Sequence, residues 1–587
     1  MFSNIENVNI LTSVLQNYGV RRVVVCPGSR NAPLVHNFNE LEDVTCYPVT
    51  DERSAGFFAL GLAMGDISPV AVCVTSGSAL LNLYPAVAEA FYQKFPVIFI
   101  SADRPEAWIG QQDGQTLPQA NVFGTMVNKS VNLPVIPDYF KYNDETKQLH
   151  DEQVWYCERM IHEALLDCTH RKIGPVHINI QIAEPLYHFS MKELPKARRI
   201  AYVQSNLFGG DFHKEDMFDF LNAKKPMIVV GQDYPETSLS RIKCLDSMAV
   251  TLIEPTALST SGTSMIFTSN FEEVLYKVEN DEAYMPDFIL YVGGTLVSKQ
   301  LKQFLRRAAA KEGTKVWRAS KDGECIDTFM HLDRIFHADT DQLASAMTNF
   351  DQKYKEEVEE YKDRWNKALL AGKHHAHNYE PLFSSMATVK YFQSEYHANA
   401  FEETYASRIF YGNSMAIRLA GIYARQYVHC NRGVNGIEGT LSTAAGLSVY
   451  ISEQHAPDAK KQQKVFCILG DLSFFYDQNA LWNQNLNGSF RIIVLNNGGG
   501  AIFGKFKGLK ESAAREKLVM AEHCTSAAHI CQAHDIIYIG ADNMKTMELG
   551  IDQLIHTESD RPILLEVFTD IDTDNQAFEE YFKEYEI

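Results

Sequence analysis

The chain is short of positive charge: 54 lysines and arginines face 74 aspartates and glutamates, a formal net charge of −20 over 587 residues. Such a balance disfavours nonspecific binding to nucleic acid or to anionic membranes, so an anionic ligand must be met by arginines placed locally. Long apolar runs are missing too, and Met1 to Leu11 carries neither the basic nor the apolar stretch of a secretory leader. No membrane insertion is expected, and the expected compartment is the cytoplasm. The eleven cysteines contain no C-x-x-C pair and no cluster with metal-ligand spacing, and so read as small core residues in a reducing compartment. What is present is globular: 45% hydrophobic and 22% charged residues, in a chain long enough for roughly three or four domains.

The apolar segments are arranged as strands alternating with helices. Between Asn9 and Pro185, R-R-V-V-V-C, V-A-V-C-V-T, P-V-I-F-I-S and P-V-H-I-N-I predict a parallel doubly wound sheet, and a first domain over 1–185. The basic stretch M-K-E-L-P-K-A-R-R near Met191 reads as a linker. K-P-M-I-V-V-G-Q, D-F-I-L-Y-V-G-G and T-K-V-W-R predict a second α/β domain over 205–350, whose glycines make no G-x-G-x-x-G, so that a spacer is its default reading. The charged run after Phe350, D-Q-K-Y-K-E-E-V-E-E-Y-K-D-R-W-N-K, predicts a solvated connecting helix with i,i+4 pairs. Y-V-H-C-N, V-F-C-I-L, R-I-I-V-L-N and R-P-I-L-L-E-V then predict a third α/β domain over 380–587. The fold class is α/β, with three doubly wound parallel-sheet domains.

The most telling feature is V-F-C-I-L-G-D-L-S-F-F-Y-D, Val465 to Asp477, followed by I-I-V-L-N-N-G-G-G, Ile492 to Gly500. Each half is a buried strand ending in a polar, glycine-bearing turn, where parallel sheets present ligands. Asp471 and Asn497 would project from two strand ends into one crevice. A carboxylate, an amide oxygen and free carbonyls are hard donors suited to Mg²⁺, which leaves positions for water and phosphate oxygens. Two ordinary βα turns could carry the same letters. Far away in sequence, T-C-Y-P-V-T ends at Asp51-Glu52 before the apolar helix G-F-F-A-L-G-L-A-M-G, where an acid is also stabilised by the helix macrodipole alone.

Together these motifs resemble thiamine diphosphate enzymes. The segments V-V-V-C-P-G-S-R-N-A-P-L, T-D-E-R-S-A-G-F-F-A-L-G, V-T-S-G-S-A-L-L-N-L-Y-P-A-V-A-E-A, S-A-D-R-P-E, G-N-S-M-A-I-R and N-R-G-V-N-G-I-E-G-T-L-S-T-A-A-G narrow the resemblance. They are similar to the MenD family of menaquinone-pathway synthases, which join 2-oxoglutarate to isochorismate. The resemblance implies thiamine diphosphate with Mg²⁺ (or Mn²⁺), a homodimer or a dimer of dimers, and a decarboxylation followed by conjugate addition of the succinyl unit to isochorismate. Glu52 matches the glutamate that activates the aminopyrimidine, a task for which a carboxylic acid suits and an amide does not. Asp471, Asn497 and the Gly499 carbonyl match the metal ligands. The backbone around Gly470, Leu472 and Ser473 matches the diphosphate contacts. Ile502 matches the aliphatic support of the bent cofactor, with Phe503 and Phe506 along an apolar wall.

Two carboxylate-bearing substrates require fixed cations, and arginine bonds carboxylates with two parallel donors. Ser29, Arg30, Arg104, Gln115 and Lys299 resemble the isochorismate side of the family, and Ser414, Arg418 and Arg432 the succinyl-carboxylate side. Two positions depart from the pattern: Gly114 stands where relatives carry Asn, and Gln300 where some carry Arg. Gly114 is expected to give the D-G-Q-T turn its positive-φ freedom. His36, His429 and the His374-His375-His377 group receive no required role. The alternatives are another 2-oxoacid decarboxylase or acetolactate-type carboligase, which gives no reason for P-G-S-R-N and G-N-S-M-A-I-R, a non-catalytic regulator that binds the cofactor, and a purely structural oligomer, which leaves the polar strand-end residues unexplained.

Overall fold

The computed structural model describes residues 1–137, 146–202, 213–233, 243–258, 270–349, 355–400, 407–454, 462–505, 509 and 511–587. Three parallel sheets follow one another along the chain. The first has six strands in the spatial order Thr45–Pro48, Arg22–Val25, Val70–Val74, Val97–Asp103, Val176–Gln181, Lys129–Leu133. The second has five, Val250–Ile253, Pro226–Val230, Phe288–Val292, Lys315–Ser320 and Arg334–His337. The third has Arg408–Tyr411, Val465–Gly470, Phe490–Asn496, Ile563–Phe568 and Ile537–Ala541. The inner strands are apolar throughout because helices cover both faces of a parallel sheet: every residue of Val70–Val74, Pro226–Val230 and Phe490–Asn496 is buried.

In the first sheet the chain runs outward on either side of the neighbouring strands Arg22–Val25 and Val70–Val74. Their carboxyl ends form the switch point at which open α/β sheets open a crevice. Cys26-Pro27-Gly28-Ser29-Arg30 leaves one of these strands and Thr75-Ser76-Gly77 the other. A Cβ on Gly28 would lie 2.3 Å from the Thr75 Cβ, so the two turns touch.

The helix Glu52–Asp66 of the first unit packs on Thr440–Glu453 of the third through backbone contact. A Cβ on Gly61 would stand 1.9 Å from the Thr443 carbonyl oxygen, and one on Gly446 2.0 Å from that of Phe58. Only glycine at both crossings permits so close an approach.

Four sequence expectations change. Y-V-H-C-N makes no strand; only a single bridge joins His429 to Phe410, and the edge of the third sheet is Arg408–Tyr411 instead. The charged run forms the helix Glu356–Asn378, yet Tyr361 and Trp365 are 1% and 0% exposed, packed against Phe304 and Tyr284 of the second unit, so this helix is part of a core and not simply solvated. Within the charged run Lys362 pairs with Glu359 at i,i+3, and Glu357 pairs outside the helix with Lys224. The stretch after Met191 is anchored: Phe189–Met191 pairs antiparallel with Phe2–Ser3, and Ser13 and Asn17 donate to the carbonyls of Pro195 and Ala197. Finally, Cys325 and Cys524 are exposed, whereas Cys26, Cys73, Cys157, Cys168, Cys430, Cys467 and Cys531 are buried. Among the described residues no helix is long and apolar enough to cross a membrane.

Candidate active site

Gly470 and Leu495 are opposite one another in the ladder, so Asp471 and Asn497 leave neighbouring strands at the same edge of the third sheet. Asp471 is the first residue of the helix Asp471–Tyr476 and is 2% exposed. Its Oδ1 accepts from the Leu472 N–H at 2.7 Å and its Oδ2 from the Gly499 N–H at 2.9 Å, with His523 Nε2 3.3 Å from Oδ2. Burial holds the Asp471 carboxyl above its ordinary range, and the Leu472 N–H and the neighbouring His523 oppose that shift. Asn497 donates through Nδ2 to Asp574 Oδ2 at 2.7 Å. Among the described residues its Oδ1 is buried and has no hydrogen-bond partner. Asp574 is itself fixed, accepting from the Ser385 N–H at 2.7 Å and the Ser385 hydroxyl at 2.6 Å.

The glycines complete this corner. Gly498 has φ +81°, and a Cβ on Gly499 would stand 2.8 Å from the Met520 carbonyl oxygen. Gly500 donates to Met520 O at 2.7 Å, and His523 N donates to Gly498 O at 2.9 Å. The Gly499 carbonyl accepts from Ala501 N at 3.1 Å. A buried amide oxygen is costly when nothing bonds it, and an orphan oxygen beside a buried carboxylate fits a hard divalent cation. Leu472 N–H and the Ser473 hydroxyl have internal partners, Asp471 Oδ1 and Ile437 O. Ile502 is half-buried and Phe503 is 37% exposed in the turn Ala501–Lys505; Phe506 lies outside the described residues.

Glu52 opens the helix Glu52–Asp66, capped by Asp51, whose Oδ1 accepts from the Ser54 N–H at 3.1 Å. Asn82 Nδ2 donates to Glu52 Oε2 at 3.3 Å. On either side of Glu52, Asp51 Oδ2 accepts from Asn479 Nδ2 at 2.6 Å and Arg53 donates to Tyr476 O at 2.8 Å. The Glu52 turn therefore sits at the Tyr476 end of the helix whose opposite end is Asp471.

At the switch point of the first sheet Ser29 is exposed and Arg30 is buried, donating to Ile182 O at 3.0 Å and to Glu184 Oε1 at 3.2 Å. Arg104 pairs with Asp113 and donates to Ser76 Oγ at 3.3 Å. Arg30 and Arg104 both act on Asp103, whose carboxyl is raised by burial and drawn back by an Asn179 hydrogen bond and by these charges. The positive φ of the neighbouring turn falls on Gln112 (+62°) and Gln115 (+55°), and Gly114 does not have it. The turn thus strains two glutamines instead of using its glycine, and Gln115 projects into solvent.

Lys299 opens the helix Lys299–Ala309, where Ser298 Oγ accepts from the Leu301 N–H at 2.9 Å. Arg432 is buried; it donates to Asn413 Oδ1 at 2.8 Å and to Leu296 O at 3.2 Å, and among the described residues its Nε has no partner. Arg418 donates to the carbonyl of Ser414, a residue held at φ +71°. Burial and the charge of Arg432 hold the Arg418 guanidinium below its ordinary value. Sequence reasoning brought Arg418 and Arg432 together but missed their supports. Glu89, in the helix Tyr84–Gln93, accepts from the N–H groups of Gly433 and Val434, both at 2.7 Å. Glu89 lies in the run V-T-S-G-S-A-L-L-N-L-Y-P-A-V-A-E-A without standing out in it, Asp574 lies in no such run, and only the fold brings them to the site.

Residues 6–122 match the family described as "Thiamine pyrophosphate enzyme, N-terminal TPP binding domain". The 2-succinyl-5-enolpyruvyl-6-hydroxy-3-cyclohexene-1-carboxylate synthase of Phocaeicola vulgatus is 39% identical over 596 residues, covering 99% of each chain. That of Bacteroides thetaiotaomicron is 38% identical, again over 99% of each. Among solved structures, benzoylformate decarboxylase from Polynucleobacter necessarius shares the fold at 14% identity, with a TM-score of 0.68 over 96% of this chain and 99% of that one. With identity sustained over nearly the whole length, the chain belongs to the family of 2-succinyl-5-enolpyruvyl-6-hydroxy-3-cyclohexene-1-carboxylate synthases, the MenD branch of the thiamine diphosphate enzymes.

Proposed function

We propose that the protein decarboxylates 2-oxoglutarate and adds the resulting succinyl unit to isochorismate, releasing CO₂ and 2-succinyl-5-enolpyruvyl-6-hydroxy-3-cyclohexene-1-carboxylate. Bound thiamine diphosphate supplies the electron sink that loss of CO₂ from a 2-oxoacid requires. The chain supplies binding, orientation and proton placement. Asp471, Asn497 Oδ1 and the Gly499 carbonyl would hold Mg²⁺ or Mn²⁺, and the backbone of Gly470, Leu472 and Ser473 would face the diphosphate. Ile502 would support the cofactor and Phe503 would wall the site. Glu52 would hold a proton at the pyrimidine N1′, the position from which a carboxylic acid controls the tautomer.

For the substrates, Ser414, Arg418 and Arg432 would take the distal carboxylate of 2-oxoglutarate, and Ser29, Arg30, Arg104, Gln115 and Lys299 the isochorismate carboxylates. The observation that carries the reading is one unit that joins an oxygen-donor corner, Asp471 with the unpartnered Asn497 Oδ1, to a buried arginine, Arg432, and a half-buried one, Arg418, whose charges oppose each other. Two like charges partly withdrawn from water favour an anion between them. The test is purified protein with thiamine diphosphate, Mg²⁺, 2-oxoglutarate and isochorismate, following isochorismate loss and product mass. The expected product forms only when all four are present. Pyruvate consumed as readily as 2-oxoglutarate would sink this reading in favour of an acetolactate-type carboligase, and cofactor binding without turnover would leave a regulator.

A further inference from the structure

We infer that Glu254, at the end of the central-sheet strand Val250–Ile253, is a positioning residue that sets the carboxylate-binding groups of both substrates at once, Lys299 on one side and Arg432 on the other. The inference rests on the reaction proposed above and concerns a residue to which that reaction assigns no part. Glu254 is 2% exposed, and its Oε1 accepts from the backbone N–H groups of Val297 and Ser298, each at 2.9 Å. Those two residues are the turn that precedes Lys299. Ser298 then caps the helix through the Leu301 N–H at 2.9 Å, so the carboxylate fixes where the helix begins and where Lys299 leaves it. One residue before the turn, Leu296 presents the carbonyl that accepts from Arg432 Nη2 at 3.2 Å. Displacing the turn therefore moves Lys299 and at the same time removes Leu296 O, which holds Arg432 together with Asn413 Oδ1.

Neighbouring strand ends brace the same arrangement. Gly294 N donates to Gln232 O at 2.6 Å, Gln232 N donates to Thr295 O at 3.2 Å, and Gln232 Nε2 reaches Cys430 O at 3.2 Å, two residues before Arg432. Val428 N donates to Pro255 O, beside Glu254, at 3.1 Å. The central sheet thus forms a wall of the proposed site, a role that the reading of a spacer did not include. Charge makes the carboxylate more than an acceptor. The cations Arg432 and Lys302 act on or with Glu254, Arg418 adds to the same cluster, and Glu272 and Tyr291 are its acidic neighbours. Glu254 is a buried acid within the electrostatic reach of Arg432, while Arg432 Nε, buried and unpartnered among the described residues, is left as a donor for an incoming carboxylate. Burial raises the Glu254 carboxyl to about 7, with Arg432 and the two backbone N–H groups opposing that rise.

The experiment compares Glu254→Gln, which keeps the shape and an acceptor oxygen but loses the charge, with Glu254→Ala, which loses both, in the full chain loaded with thiamine diphosphate and Mg²⁺. For Glu254→Ala the KM values for 2-oxoglutarate and for isochorismate are expected to rise together, by about tenfold or more, with a smaller rise for Glu254→Gln, which keeps the acceptor. In both variants kcat should stay within about threefold of wild type, and the affinity for thiamine diphosphate should be unchanged. KM values within about twofold of wild type in both variants would overturn the inference, as would a rise confined to one substrate. Loss of cofactor affinity and thermal stability with KM unchanged would make Glu254 structural only and would overturn it as well. A wild type that forms no product refutes the reaction and this role with it; an active wild type with unaltered variants refutes the role alone.

Discussion

Fixing an amide so that its oxygen faces one way takes a single good acceptor for its nitrogen, and at Asn497 that acceptor is Asp574. Groups that orient metal ligands typically contribute ten- to a hundredfold to metal affinity. Asp574→Ala is therefore expected to weaken Mg²⁺-dependent retention of thiamine diphosphate by about ten- to a hundredfold, read by calorimetry at fixed cofactor and varied Mg²⁺. An unchanged Mg²⁺ dependence would show that Asp574 does not orient the ligand. A different buried acid makes a prediction about stability. Glu273, in the helix Phe271–Val278, accepts from Asn270 Nδ2 at 3.1 Å and from the Tyr581 hydroxyl, and burial lifts its carboxyl from 4.5 to about 7. An acid raised by folding keeps its proton in the native state while the unfolded chain loses it, so the native state binds more protons between those two values. Stability from this group is thus present below about 4.5 and falls as pH rises toward 7. Glu273→Gln removes the titration. Melting temperatures from pH 5 to 8 should decline less with rising pH in the variant than in wild type, and parallel curves would contradict the assignment.

At the scale of elements, the crossing of Glu52–Asp66 with Thr440–Glu453 has no room for a side chain. A branched residue at Gly61 must push the two helices apart, and overpacking of a tight contact costs about 1–3 kcal/mol, occasionally more. Gly61→Val should lower the melting temperature, and a melt superimposable on wild type would mean that the helices do not meet there. The inner strands were legible because a doubly covered parallel strand is one continuous apolar run, as V-A-V-C-V and V-F-C-I-L are. Edge strands were less so: Lys129–Leu133 and Arg334–His337 carry polar and charged residues among the apolar ones, since an edge has only one neighbour. The charged helix Glu356–Asn378 misled because its lysines and glutamates outnumber the few large residues, Tyr361 and Trp365, that bury it. Asp471 and Asn497 stood out because a polar turn after a buried strand is a local signal. Asp574 and Glu89 did not, since the partners they hold lie 77 and 344 residues away. Gly114 gave the wrong sign of φ for a related reason: contacts made by the whole loop, not the most permissive residue, decide which residue is strained.

At the scale of the whole molecule, the placement of Glu52 relative to Asp471 bears on how many chains complete a site. Within one chain, the Glu52 turn is bonded to Tyr476, the end of the short helix opposite Asp471, and to Asn479 in the turn that follows. Around it Leu81, Tyr84, Tyr476 and Trp482 are 44%, 39%, 51% and 51% exposed. Large apolar side chains left exposed are what a second copy covers. On this proposal Glu52 of one subunit serves the cofactor held by Asp471 of the other, in a two-fold dimer with two such sites. Glu52→Gln and Asp471→Ala then damage opposite halves. Each homodimer has both sites damaged: the first should retain thiamine diphosphate but turn over at least about a hundredfold more slowly, and the second should fail to retain it. A mixed dimer carries both lesions in one site and none in the other. With random exchange, half of the dimers are mixed and each has one intact site of two, so mixing the inactive variants should restore activity up to about a quarter of the native value. Native mass spectrometry establishes whether subunits have exchanged. If mixed dimers form and no activity returns, each site is built within one chain, and the exposed face around Tyr476 and Trp482 needs another explanation.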